Sequence, residues 1–149
     1  MDIKSLMVGD WVKIKTYGVS DKFERTEAYM YVKVAEIGSG LITVEYNNDI
    51  KEPYRICENT EIEPIPLTSE ILEKNGFEKT WQDNFVYDNE DIGLIITFHP
   101  KETNYTNGIY DYIDIEKGCV TITEMPIEFV HQLQHVLRLC EVSIEIIEL

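Results

Sequence analysis

Glu61-Ile62-Glu63-Pro64-Ile65-Pro66-Leu67-Thr68-Ser69-Glu70-Ile71-Leu72-Glu73-Lys74-Asn75-Gly76-Phe77 joins a strand end, a rigid connector and one fully punctuated short helix. Pro64 and Pro66 each fix φ and remove a backbone donor, so neither a central strand nor a helix runs through them. Beyond the prolines, Thr68 stands at an N-cap position, with Leu67 and Leu72 placed as the N′ and N4 partners of a hydrophobic staple. Glu70 lies in the first turn, where negative charge is favoured. Gly76 supplies the left-handed residue of a Schellman stop, and Phe77 folds back on Leu72. A helix this short does not stand alone in water, so Ile71, Leu72 and Phe77 must dock on something. The chain therefore divides into residues 1–65 and 66–149, two pieces small enough that the reading expects them to pack together.

Upstream of the connector the pattern is one of short strands. Val12 and Ile14 share one face of Trp11-Val12-Lys13-Ile14-Lys15, while Trp11, Lys13 and Lys15 share the other. A charged loop from about Gly18 to Glu27 leads to Tyr29–Val34, with Met30, Val32 and Val34 on one side. Gly38-Ser39-Gly40 turns the chain into Leu41–Tyr46, which Asn47-Asn48-Asp49 ends. Tyr54–Cys57 and Glu61–Glu63 are weaker strands. Closure removes exposed edges, so residues 1–65 are read as an SH3-like β-barrel, with an OB-like barrel as the alternative.

Downstream, Phe85-Val86-Tyr87 leads through an acidic turn into Ile92–Phe98, whose nearly continuous apolar character predicts a central strand covered on both faces. Residues 101–107 form a polar loop, and Ile109–Ile115 and Cys119–Thr123 a hairpin across Glu116-Lys117-Gly118. A C-terminal helix follows from about Ile127 to Cys140, its apolar stripe made by Phe129, Val130, Leu133, Val136, Leu137 and Cys140. The alternating tail Ser143–Glu148 is placed as an edge strand. The fold class is thus α+β: a barrel, a short helix, an antiparallel meander and a helix packed on it.

Composition bounds the function. The 149 residues carry a net charge of −15, with 44% hydrophobic content typical of a folded globular chain. Residues 1–63 hold 8 Lys/Arg and 12 Asp/Glu, whereas residues 64–149 hold 5 and 16, so the second part is the acidic one. That sign disfavours direct binding of nucleic acid or anionic lipid and suits a basic protein partner. Cys57, Cys119 and Cys140 are odd in number and lack Cys-x-x-Cys spacing, which predicts buried thiols rather than a redox pair or zinc site. No signal peptide or membrane span is visible, so the expected location is the cytoplasm.

Two blocks, Glu61–Thr68 continuing to Asn75-Gly76-Phe77, and Phe129-Val130-His131-Gln132-Leu133-Gln134-His135 continuing to Arg138-Leu139-Cys140, carry a resemblance. The chain resembles a family of small uncharacterised bacterial proteins, often found near prophage or conjugative-element genes, that open with a turn like Gly9-Asp10. No activity, cofactor or catalytic residue is implied by that resemblance.

Among candidate chemistries, His131 and His135 have the i, i+4 spacing that puts two imidazoles on one metal ion. Gln132 stands where a metalloprotease needs its general base, and Gln does not accept a proton near neutral pH. Helical projection points both histidines away from the apolar stripe, with Arg138 beside them, toward solvent or a partner. Asp88-Asn89-Glu90-Asp91-Ile92-Gly93 looks calcium-like, yet Ile92 and His99 occupy ligand positions of an EF-hand, so a hairpin turn is expected. Alternation groups Tyr110, Tyr112 and Asp114 opposite Ile109, Ile113 and Ile115, giving tyrosines and a carboxylate suited to receive a peptide or sugar, or to pair across strands. Trp11, Tyr29 and Tyr31 form a similar candidate aromatic groove. Phosphate loops, dinucleotide fingerprints and nucleophile elbows are absent from the sequence, and no cofactor is expected. The favoured function is a non-enzymatic protein-interaction module of a mobile element or its host. A metal-dependent hydrolase using His131 and His135, or an acidic mimic of DNA, is the alternative.

Overall fold

The computed structural model describes residues 5–19, 25–46, 54–102, 108–142 and 149. The turn read at Asn47-Asn48-Asp49, the centre of the loop after Gly18, most of the polar loop at 101–107 and the tail strand at 143–148 lie outside the described residues. Two compact units are present, Met1–Ile65 and Pro66–Leu149, each built on a five-stranded antiparallel sheet.

In the first unit, β1 (Trp11–Val19), β2 (Arg25–Ile37), β3 (Leu41–Glu45) and β4 (Tyr54–Glu58) form a meander, and β5 (Ile62–Glu63) returns to β1. The alternation read from the sequence holds at its centre: Val12, Ile14, Val32, Val34, Ile42 and Val44 are buried together with Leu6, Cys57 and Ile62. The β1–β2 ladder continues to Val19 opposite Arg25, well into the expected loop. No strand pair closes this sheet into a barrel among the described residues; it runs open in the order β4-β3-β2-β1-β5. The reason lies in β5, whose two residues pair only with Lys13 and Ile14, leaving nothing to reach β4. A single 3-10 turn at Asn59–Glu61 precedes β5. The Glu61 carboxylate holds that turn, accepting from Arg55 at 2.6 Å and from the Glu58 amide at 2.8 Å.

The second unit opens with α1 (Ser69–Lys74), which begins and ends as its sequence dictates. Thr68 Oγ1 accepts from the Ile71 amide at 3.3 Å, and Glu70 pairs with Lys74 at 3.2 Å. At the other end, the amides of Gly76 and Phe77 donate to Glu73 and Leu72 carbonyls at 3.1 Å, the paired bonds of a Schellman motif. Gly76 adopts φ +83°, and Ile71, Leu72 and Phe77 are buried.

The meander that follows comprises β6 (Glu78–Lys79), β7 (Phe85–Asn89), β8 (Leu94–His99), β9 (Tyr112–Lys117) and β10 (Val120–Pro126), paired in sequence order. The acidic segment after β7 is a 3-10 turn, Glu90–Ile92, closed by Gly93 at φ 60°. β8 is central, but the expectation that both its faces are covered is corrected. Leu94, Ile96 and Phe98 are buried, whereas Ile95 is exposed and Thr97 half-buried, because an antiparallel sheet needs only one face packed. The hairpin also starts later than expected. Strand β9 begins at Tyr112, so Ile109 does not join Ile113 and Ile115 inside but is 93% exposed.

Helix α2 (Val130–Leu139) lies over the packed face, where Val136, Leu139 and Cys140 approach Ile115, Ile122 and Met125. The start of the unit is stitched to the approach of α2, since the Leu67 amide donates to the Glu128 carbonyl at 2.9 Å and Pro66 bridges Phe129. No described helix is long and apolar enough to cross a membrane.

Candidate interaction surfaces

Register decides which side chains share the outer face of the second sheet. Cross-strand partners point the same way, so the pairs Glu78–Val86, Asp88–Ile95, Thr97–Asp114, His99–Tyr112 and Glu116–Thr121 all lie opposite the core residues Phe85, Ile96, Phe98, Ile113 and Ile115. Five carboxylates belong to this face or its rim: Glu78, Asp88, Asp114, Glu116 and Glu124.

At one end of the face the aromatic residues gather. His99 Nε2 lies 3.0 Å from Asp114 Oδ2, and the imidazole stacks on Tyr112 at 4.5 Å with an 11° interplanar angle. Tyr110 meets Tyr112 edge to face at 6.4 Å. The second carboxylate oxygen of Asp114 accepts from the Glu124 amide at 2.8 Å. That bond caps a bulge, where the register of β10 slips between Ile122 and Met125 and Glu124 takes φ 55°. Burial pushes the Tyr112 phenol above its ordinary value, and the nearby negative charges of Asp114 and Glu124 raise it further. Tyr112 and Asp114, grouped by alternation in the sequence, are thus brought together on one face, with Tyr110 adjoining. His99 was missed by sequence reasoning, because only the pairing of β8 with β9 brings it opposite Tyr112. An imidazole held by a carboxylate and covered by a phenol ring makes a rigid hydrogen-bonding and stacking surface, and the carboxylates around it accept lysine or arginine.

The expectation that His131 and His135 face solvent is corrected. His131 is 3% exposed, His135 is half-buried, and Gln134 is buried as well. The buried arc of α2 is wider than its apolar stripe: Val130, Leu133 and Leu137 are flanked inward by His131 and Gln134, and the apolar Leu139 is left 82% exposed. His131 stacks on Phe129 at 5.8 Å and 8°, and meets His135 edge-on at 5.8 Å. Gln132, the residue that broke the metalloprotease pattern, has a local role instead: its Oε1 accepts from the Glu128 and Phe129 amides at 2.8 and 3.0 Å, capping the helix start. Arg138 is half-buried on the same helix. Among the described residues, no group of three or more His, Cys, Asp or Glu side chains is gathered to hold a metal ion.

The first unit has its own aromatic face. Register pairs Trp11 with Lys33, Lys13 with Tyr31 and Lys15 with Tyr29 on the side away from Val12 and Ile14. Lys13 lies over the Tyr29 ring at 4.7 Å and Lys33 over Trp11 at 5.1 Å, so the rings are paired with cations of the same sheet. Glu63 accepts both Lys13 and Lys15, at 3.2 and 3.6 Å. The Trp11 and Tyr29 rings are thus met by ammonium groups of the same sheet, while Tyr31 is exposed.

Comparison with models of known protein families, with characterised proteins and with solved structures finds no match to this chain.

Proposed function

We propose that this protein is a non-enzymatic interaction module that takes a basic segment of a protein partner on the outer face of its second sheet. The observation that carries this reading is the grouping of five carboxylates with Tyr110, Tyr112 and His99 on one partly exposed sheet face. Tyrosines give large contact area at low entropic cost, and carboxylates select lysine and arginine while repelling acidic competitors. The first unit fits an SH3-like arrangement, in which a four-strand meander is followed by a short last strand returning to the first. Such folds commonly serve as adaptors, an inference by analogy with the fold alone. The resemblance of the Glu61–Phe77 and Phe129–Cys140 blocks to proteins near prophage and conjugative elements supports a partner from a mobile element or its bacterial host.

Affinity capture from a bacterial lysate tests the reading. The intact protein returns a stoichiometric partner, and a variant combining Tyr110→Ala, Glu116→Lys and Glu124→Lys loses it at unchanged fold. All three side chains are exposed, so the substitutions leave the core alone. A protein that stays a lone monomer, or a partner indifferent to the triple variant, overturns the proposal. The same carboxylate face supports a second reading, an acidic mimic of DNA, which predicts that the protein competes with duplex DNA for a DNA-binding host protein.

A further inference from the structure

An apolar groove in the second unit lies between β10 and α2. This groove of about 230 Å3 is lined by Ile115, Val120, Ile122, Met125, Leu139 and Cys140 among others. Three of these side chains are left open to water, Val120 at 62%, Ile122 at 48% and Leu139 at 82% exposure. Small-molecule pockets run from about 300 to 1,000 Å3, so a groove of this size suits one or two protein side chains.

Strand β10 is an edge of its sheet, paired only with β9 among the described residues. Its bulge at Thr123–Glu124 and its Pro126 interrupt one end, leaving Val120–Thr123 as the stretch that can accept another strand. Side chains of an added strand alternate between the two faces of the sheet. One set falls into the apolar groove beside Val120 and Ile122, and the other falls beside Thr121 on the face that carries Glu116, Glu124 and Asp114. The base nearest the groove, Lys117, already donates to the Cys140 carbonyl at 3.0 Å and to Glu141 at 3.1 Å, so its charge is balanced.

We propose that the β10–α2 groove receives a short extended segment of a protein partner in which large apolar side chains alternate with lysine or arginine. This rests on reading the protein as an interaction module, and it adds a defined edge and a sequence pattern to that reading. The occupant is basic because the rim is acidic, and a second copy of the chain is disfavoured because each carries a net charge of −15.

Titration of the full chain at physiological salt with a lysine-valine-lysine-phenylalanine-lysine-valine-lysine heptapeptide tests the proposal. The control peptide has the same composition with its four lysines in one block. The alternating peptide binds about tenfold more tightly than the blocked one, and Ile122→Glu or Leu139→Glu each weakens it about tenfold by putting a charge where an apolar anchor is buried. Both positions are substantially exposed, so thermal unfolding of the variants stays close to that of the parent. Equal affinity for the two peptides, or indifference to both substitutions, overturns the proposal. So does a dimer in sedimentation that Ile122→Glu dissolves, since the groove is then a self-association surface. If the lysate partner is lost with the outer-face triple variant but kept with Ile122→Glu, the interaction reading stands and the groove assignment falls.

Discussion

Asp10 has no exposed surface, yet it is a carboxylate, and its local bonds explain its position. Its Oδ2 accepts from the Met7 amide at 2.8 Å, and its own amide donates to the Met7 carbonyl at 3.1 Å. Gly9 supplies φ 88° for the turn, and its amide donates to the Val34 carbonyl, fastening the turn to β2. Replacing Asp10 by Ala removes the charged acceptor of a part-buried amide, so a loss of about 1–3 kcal/mol in urea unfolding is expected, with Asp10→Asn retaining much of the stability through its carbonyl oxygen. The cysteines make a second residue-scale test. Burial pushes the Cys57 and Cys140 thiols up from their ordinary value, in Cys140 against the opposing pull of Lys117, while Cys119 is exposed. A disulfide reagent at mildly alkaline pH therefore titrates Cys119 quickly and the other two only on unfolding. Sequence reading took all three as buried, and Cys119 departs from that because it occupies the tip of the β9–β10 hairpin.

At the scale of elements, the features that depend on neighbours in sequence were legible. The α1 cap and stop follow from Thr68, Gly76 and Phe77 alone, because capping bonds close within six residues. Thr68→Ala is expected to cost about 1 kcal/mol, read by thermal or denaturant unfolding. Gly76→Ala costs about 1–2 kcal/mol for a different reason: a Cβ there would meet only the Tyr87 ring at 3.8 Å, so the penalty is the left-handed backbone and not a clash. The α2 histidines were misread because helical projection finds the apolar stripe but not how far the packing extends around the helix. The flank bearing His131 and Gln134 is buried as well, although polarity alone assigns it to water. The bulge in β10 had no signal either, since it arises from the pairing of Thr123 and Glu124 against Asp114.

For the molecule as a whole, charge sets the response to solution conditions. A net charge of −15 repels itself in the compact state, so sodium chloride is expected to raise the melting temperature until screening is complete, followed by calorimetry. Alkaline pH acts through Tyr112. Its folded-state phenol holds its proton more tightly than the unfolded chain does, so the stability it contributes is present below the ordinary tyrosine value of about 10 and is lost as pH climbs past it. Tyr112→Phe should flatten that alkaline decline relative to the parent protein. Local chemistry was enough to place the Pro64–Pro66 break, the capped turn of helix after it and most of the strands, because φ restriction, capping and alternation act over a few residues. Long-range pairing alone set the openness of the first sheet, the meeting of His99 with Tyr112 and Asp114, and the groove beside β10. These features join residues up to tens of positions apart, and their geometry exists only once strands have chosen a register and a helix has found its depth.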